Sequence, residues 1–225
     1  MSNLTLLIPA HKESESLPVF LKELEKYNFD IMVVLQEEDK ETIDSISNFK
    51  TIKILVQKNK GYGSALIEGI ENIATEFFCI INADGSMDPR YLDEMLRLCE
   101  SKDFVFATRY QKGGGSDDDN IVTLVGNKVF SFLGNILFKL NLSDILYTYI
   151  VGRTISARKL KLNYFDFRIC VEIPIKAKSK NLKFTSLPSK ERKRIAGVKK
   201  VNAFKDGFLI LLAILFFFIK KNEIK

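Results

Sequence analysis

Five short apolar runs, at residues 4–8, 31–35, 52–56, 77–81 and 104–107, alternate with segments carrying helical spacing or helix-start signals. No other feature constrains the fold as much. Parallel strands need crossover connections, usually helices, so this βαβ alternation predicts a mainly parallel sheet covered by helices. After the first run, Leu17, Phe20, Leu21, Leu24 and Tyr27 fall at helical spacing, with Pro18 near the helix start. Residues 39–48 read as a short helix. Gly61-Tyr62-Gly63 reads as a turn, with Ser64 placed to cap a helix running to about Ala74. Residues 89–100 read as a further helix, opening at Pro89.

The fourth apolar run stops at a short acidic turn holding Asp84, with Asp88 just beyond. Ligands of open α/β sheets bind outside the carboxyl ends of the strands. A carboxylate there, among small residues that let a ligand approach, suits a divalent cation and the phosphates it neutralises. The plain alternative is a strand, an Asp-rich turn and a helix start.

At 225 residues the chain can hold one sizeable domain and an appendage, and its 46% apolar content argues against disorder. Cys79, Cys99 and Cys170 are far apart, without metal-type spacing, and read as reduced core thiols. The single histidine, His11, rules out a multi-histidine metal site. Residues 1–8 lead directly into a strand, so no secretory leader is expected.

The net charge of +6 is unevenly spread. Residues 189–200 are strongly basic. The very apolar run 207–219 follows, and then Lys220 and Lys221. A positively flanked apolar segment suggests an anionic membrane surface. Nucleic acid is not expected as a partner, because the apolar segment has no role there. As a helix, residues 208–219 would span ~18 Å, against a hydrocarbon core of ~30 Å. The segment is therefore expected to dip into one leaflet, pair with another chain or fill the core, with membrane association favoured.

Residues 113–119, three glycines, a serine and three aspartates, read as a mobile loop. It is either a solvated connector, the plainer account of Asp117 to Asp119, or a lid over a site. Residues 121–142 carry a wide apolar face from Leu124 to Leu140. This is either a core helix or an interfacial helix lying on a bilayer.

In order and spacing, these pieces resemble family 2 glycosyltransferases of the GT-A fold, and most of all the dolichol-phosphate (polyprenyl-phosphate) mannose and glucose synthase group. The resemblance covers roughly residues 4–200. Leu7-Ile-Pro-Ala-His-Lys-Glu13 resembles the family's Ile-Pro-x-x-Asn-Glu, which implies nucleotide contacts for Pro9, Ala10 and Glu13, with His11 and Lys12 as departures. Lys60-Gly-Tyr-Gly-Ser-Ala-Leu-Ile-Glu-Gly69 resembles Arg/Lys-Gly-x-Gly-x-Ala-x-x-x-Gly, which implies that Lys60, Gly61 and Gly63 lie beside the nucleotide and leaves Gly69 as a packing glycine. Asn82-Ala-Asp84 takes the place of Asp-x-Asp, which implies Mg2+ or Mn2+ held by Asp84, Asn82 and Ser86. Asn82 keeps an oxygen ligand but adds no charge. Gln36 stands where the family has an aspartate pair and is the implied base contact.

Ala107-Thr-Arg-Tyr110 resembles Gly-Ser-Arg-Tyr, which implies phosphate binding by Arg109. Arg194-Ile-Ala-Gly-Val-Lys-Lys200 resembles Arg-x-x-Gly-x-Ser-Lys, implying Arg194 and Lys200 at donor diphosphate and acceptor phosphate, with Lys199 replacing serine. Gly126-Asn127-Lys128, Ser143-Asp144 and Glu172 resemble acceptor-side positions. The fold implied is a GT-A, Rossmann-like α/β domain over residues 1–200; within it 121–142 remains either the core or the interfacial helix read above, and 203–225 is the apolar, membrane-associating C-terminal segment, with a C-terminal helix.

The implied catalytic set is Asp84, Arg109, Arg194 and Lys200. The chain has no tryptophan and therefore lacks the Gln-x-x-Arg-Trp motif of processive family members. An acceptor hydroxyl needs a general base, whereas an acceptor phosphate is already anionic. The expectation is inverting transfer of a hexose from a GDP-mannose or UDP-glucose type donor to a polyprenyl phosphate. It would take place at the cytoplasmic face of a membrane, by a peripheral or monotopic protein. Homo-oligomer or membrane partners through 208–219 are part of that expectation. Two rivals stand beside it. One is transfer to a lipopolysaccharide or surface-polysaccharide glycan, with Glu172 or Asp144 as base. The other is a non-catalytic nucleotide-sugar-binding partner subunit.

Overall fold

The computed structural model describes residues 3–220. Lys221, one of the two expected flanking cations, lies outside the described residues, as does the rest of 221–225. The first half follows the expected alternation: β1 (Leu4–Pro9), α1 (Leu17–Leu24), β2 (Asp30–Leu35), α2 (Lys40–Ser45), β3 (Ile52–Val56), α3 (Tyr62–Asn72), β4 (Phe77–Ile80), α4 (Leu92–Cys99) and β5 (Phe104–Thr108). Then come β6 (Gly115–Ser116), α5 (Ile121–Phe138), β7 (Ile150–Arg153), α6 (Thr154–Lys159), α7 (Ile169–Ser179), β8 (Phe184–Pro188), β9 (Lys190–Glu191) and α8 (Ala203–Ile219).

The main sheet runs β3-β2-β1-β4-β7-β5-β8, parallel except for β7, which is antiparallel to both β4 and β5. Every residue of β1 is buried, as expected for a central strand covered on both faces. Side chains alternate between two cores. Leu7, Val34, Ile80 and Phe106 face one that includes α3, α7 and α8. Leu6, Ile8, Val33, Cys79 and Val105 face the other, with α1 and α4.

Four details depart from the sequence reading. First, β4 and β5 are not neighbours, because β7 enters between them from some 45 residues further on. Second, Ser64 does not cap α3. Gly61 does so, and the Ser64 hydroxyl donates to Glu68 Oε1 at 2.9 Å. Third, the segment read as a mobile loop is built into the fold, with β6 pairing in parallel with β9. Fourth, α8 is neither purely core nor purely surface. Ile210, Ala213, Ile214 and Phe217 are buried in the main core, while Phe204, Phe208, Leu212 and Ile219 are exposed.

α5 lies along α8 in the same direction. Phe130 sits over Gly207, and Phe138 meets Phe218 edge-on at 6.3 Å. A capping box between Asn120 and Thr123 starts α5. This helix is long and apolar enough to cross a membrane by length and composition, and 22% of it is buried. Its Ile121, Val125, Phe132 and Ile136 are exposed as well.

Candidate active site

A cleft of about 500 Å³ opens at the carboxyl ends of the central strands. Pro9 and Ala10 end β1, Gln36 follows β2, Asn82 and Asp84 follow β4, and Arg109 follows β5; all line it. Gly61 and Tyr62 come from the start of α3, Thr123 and Asn127 from α5, and Val201 and Ile210 from the α8 region. The sheet therefore gathers residues up to a hundred positions apart, as strand ends do in open α/β sheets.

Asp84 is buried and held from two sides. Ser86 donates to its Oδ1 through both backbone N, at 3.0 Å, and Oγ, at 2.7 Å. Arg194 Nη1 stands 3.3 Å from Oδ2. The backbone joins the same contact, with Ile195 N donating to Asp84 O at 2.9 Å. Gly85, at φ +71°, makes the turn, and a Cβ there would come within 2.5 Å of the Ile195 side chain. The basic segment is thus moulded onto the acidic turn.

The segment 113–119, read as connector or lid, is joined to the basic segment by charge. Arg194 donates to both carboxylate oxygens of Asp118, at 3.3 and 3.0 Å, and Lys199 Nζ lies 3.2 Å from Asp118 Oδ2. Burial alone would raise the Asp118 carboxyl. The hydrogen bonds from Arg194 and Lys199 outweigh it and hold the group below its ordinary value of 3.8. Lys200 reaches Glu13 Oε1 at 3.5 Å and donates to Lys12 O at 3.3 Å. Arg192 pins the base of the segment by a two-pronged pair with Glu23 and a bond to Gly85 O at 2.7 Å. The solvated-connector account does not hold for Asp118 or Asp119, both of which are in ion pairs.

Arg109 occupies a different setting from the one expected of a free phosphate ligand. Its guanidinium is buried, with Nε and Nη2 on Asp144 at 2.7 and 3.1 Å and Nη1 on Glu191 at 3.1 Å. Asp119 Oδ1 lies 3.5 Å from Nη1. The rings of Tyr147 and Tyr110 cover it at 4.5 and 5.1 Å. Three carboxylates from distant segments thus share one cation. Burial pushes the Glu191 carboxyl up despite Arg109 and a hydrogen bond from Ser116. Glu191 and Asp119 are cleft residues that the sequence reading missed. Glu191 sits within Lys-Glu-Arg-Lys-Arg, where a lone acid among cations looks like a solvated face.

The remaining expected residues divide. Glu13 is at the cleft wall, its Oε2 accepting from Ser16 Oγ at 2.6 Å. Asn82 Oδ1 accepts from the Tyr62 hydroxyl at 3.3 Å. Lys60 is not brought into the cleft; its side chain is 78% exposed and pairs with Glu38. Gly61 and Gly63 are needed for a reason other than nucleotide approach. A Cβ on either would lie 2.1 Å from the carbonyl oxygen of Phe165 or Tyr164 respectively. Gly69 is a packing glycine, pressed on the Leu7 side chain. Glu172 lies fully buried, accepting from Asn163 N and Tyr164 N and paired with Lys176 at 2.6 Å. It organises a loop and does not line the cleft.

Among the described residues, no three His, Cys, Asp or Glu side chains converge as a metal cage. At the end of β4 the cleft offers the Asp84 carboxylate, the Ser86 hydroxyl and the Asn82 amide oxygen, while Glu13, Asp118, Asp119 and Glu191 are engaged by Lys200, Arg194 and Arg109. Mg2+-type ions are commonly held by one or two carboxylates, with substrate phosphates and water completing the shell. The donor set fits a cation that arrives with a diphosphate, not one held by the protein alone.

Comparison with known proteins agrees with this geometry. A dolichol-phosphate mannosyltransferase of Pyrococcus furiosus is 24% identical over an alignment of 185 positions that covers 77% of this chain and 53% of that protein. The chain thus spans about half the length of that relative. A UDP-N-acetylglucosamine–dolichyl-phosphate N-acetylglucosaminyltransferase of Methanococcus voltae is 23% identical, with 92% of this chain and 94% of that protein covered. Among solved structures, glucosyl-3-phosphoglycerate synthase of Mycobacterium tuberculosis, in complex with Mn2+, uridine diphosphate and glucosyl-3-phosphoglycerate, superposes with a TM-score of 0.72 at 9% identity. That match covers 94% of this chain and 78% of the other, and shows a shared GT-A fold. The sequence pattern described as Glycosyl transferase family 2 matches residues 5–161, well over half of the chain. The chain belongs to glycosyl transferase family 2, a family of glycosyltransferases.

Proposed function

We propose that the protein moves a hexose or N-acetylhexosamine from a nucleotide sugar to a polyprenyl phosphate at the cytoplasmic surface of a membrane. One observation carries this reading. The cationic wall of the cleft, Arg194, Lys199 and Lys200, runs straight into α8; Val201 just before that helix and Ile210 within it line the same cleft, while the outer face of α8 is bare and apolar. A phosphate in the cleft would therefore have an apolar path beside it for its lipid chain.

In this reading Asp84 and Ser86, with Asn82, hold Mg2+ or Mn2+ together with the donor diphosphate. The cation offsets charge on the departing nucleoside diphosphate. Pro9, Ala10, Glu13 and Gln36 border the nucleoside. Arg194 and Lys200 draw the acceptor phosphate in and lower its repulsion from the donor. Arg109 is a positioning residue that fixes Asp119, Asp144 and Glu191. The names of the two archaeal relatives, both dolichol-phosphate transferases, support the acceptor class.

A sugar-hydroxyl acceptor has less support, since the two candidate bases are already engaged: Asp144 by Arg109 and Glu172 by Lys176. The test is steady-state transfer to short-chain polyprenyl phosphate, to the dephosphorylated polyprenol and to free sugars. Product on the phosphate alone is the expected result. Product only on a sugar hydroxyl would reject the mechanism.

A further inference from the structure

Gly126 lies inside α5, where a glycine destabilises the helix relative to alanine. Packing does not require it. A Cβ at any other glycine of the chain would meet a neighbour within 4 Å, whereas one at Gly126 would meet nothing.

Phe130 follows Gly126 by four residues and so lies on the same face of α5, one turn on. Its ring packs against Gly207 of α8, where a Cβ would come within 3.8 Å of it. Phe130 and Gly207 thus close the seam between the two helices, and Gly126 leaves it open one turn nearer their starts. Thr123 lies three residues before Gly126 on that face. Thr123 and Asn127 line the cleft, as do Val201 just before α8 and Ile210 within it. The open end of the seam therefore lies at the cleft.

The chemistry along this route is of two kinds. Arg194, Lys199 and Lys200 line the cleft, and so do Leu146, Phe167, Cys170 and Ile210, which pack into the core that holds α7 and α8. Around the starts of both helices large apolar side chains are exposed: Ile121, Val122 and Val125 on α5, and Val201, Phe204 and Phe208 at α8. An anion carrying a long neutral hydrocarbon chain matches both. Its phosphate pairs with the cations, and its chain covers apolar surface inside the cleft and out along the helix starts. A free sugar or inorganic phosphate has no part that matches the apolar stretch.

We propose that the acceptor's prenyl chain leaves the cleft through the seam between the first turns of α5 and α8, across Gly126, and that Gly126 keeps this passage clear. This rests on the lipid-phosphate reading above. A side chain at this position meets no protein neighbour, so it would obstruct the lipid chain without disturbing the fold.

The test is steady-state transfer in detergent solution at saturating donor. The acceptors are dimethylallyl phosphate, a single isoprene unit, and geranylgeranyl phosphate, a chain of several. Gly126→Leu should raise KM for geranylgeranyl phosphate roughly tenfold or more. KM for dimethylallyl phosphate and calorimetric affinity for the nucleoside diphosphate should stay within about twofold of wild type. Leucine is a strong helix former, so the melting temperature should hold or rise. Should Gly126→Leu fail to fold, the wild type still decides: a diazirine-bearing geranylgeranyl phosphate should label residues 121–130 and 201–210. Equal rises in KM for both acceptors, no rise for either, or labelling confined to other segments would overturn the passage and leave the lipid-phosphate reading intact. A wild type that transfers to neither phosphate would overturn both.

Discussion

Arg194 Nη1 faces Asp84 Oδ2 at 3.3 Å, the carboxylate oxygen left over after Ser86 has taken Oδ1 twice. The two groups are 110 residues apart in sequence and form an ion pair between the acidic turn and the basic segment. A divalent cation approaching Asp84 meets Arg194 already there. Cation and diphosphate entering together resolve the conflict, because the phosphates give Arg194 a second anion to pair with.

Removing either partner therefore has opposite effects on the cation. Asp84→Ala should cut transfer by at least ~100-fold, the scale seen when a group stabilising transition-state charge is lost. Arg194→Gln should let Mn2+ bind tighter in the absence of nucleotide, while weakening the nucleoside diphosphate. Metal titration with and without UDP measures both. Weaker metal binding in Arg194→Gln would mean that the arginine does not compete for Asp84.

Two carboxyls should give the protein opposite pH signatures. Glu191 has its folded-state value raised above 4.5 by burial. The folded state then holds a proton that the unfolded chain releases, so stability falls as pH rises from 4.5 through the raised value. Asp118 is held below 3.8, so its contribution is present above 3.8 and is lost as pH falls through the lowered value. Chemical denaturation across pH 3–8 should show Glu191→Gln flattening the upper part of the profile and Asp118→Asn the lower. Profiles parallel to wild type would show that neither site is coupled to folding in this way.

How far this site was legible depends on whether its causes are local. β1 to β5 and α3 could be read because their apolar runs and helical spacing lie in one window. β7 could not, since four residues with no turn signal acquire strand character only by fitting between β4 and β5. Gly61 and Gly63 were visible as special, but the carbonyls that demand them sit a hundred residues later. Arg109 was visible as a strand-end cation. The carboxylates that surround it come from residues 119, 144 and 191, and only the tertiary fold brings them together. Asp84 and Arg194 were legible because their motifs are short and ordered.

The two faces of α8 should separate in experiment. Phe217→Ala removes a core ring that meets Tyr164, and should cost ~3–5 kcal/mol of stability. Phe204→Ser, Phe208→Ser and Leu212→Ser together alter only outward positions. They should leave the melting temperature within a few degrees while reducing co-flotation with anionic lipid vesicles severalfold. Undiminished flotation of the triple variant would place membrane binding elsewhere. Deleting the whole helix could not tell these cases apart, because four core residues would go with it.

Asn82→Asp tests what stands beside the cation. Asn82 lies two residues from Asp84 and shares its cleft, but brings no charge. A carboxylate there would add a second anion to the ion's surroundings. Two unit charges 4 Å apart interact by about 4 kcal/mol at an effective dielectric of 20, so even a well-screened aspartate should register. If Asn82 Oδ1 faces the ion, Asn82→Asp should tighten Mn2+ binding in the presence of UDP by about tenfold or more. The Tyr62 hydroxyl can still donate to the new carboxylate, so that contact should persist. If the amide instead turns its nitrogen to the sugar, metal affinity stays level and the nucleotide sugar alone binds more weakly, because a donor has been exchanged for an acceptor. Calorimetry with Mn2+ and UDP, then with Mn2+ and the nucleotide sugar, separates the two. A gain in metal affinity with no change toward the sugar would assign Asn82 to the cation.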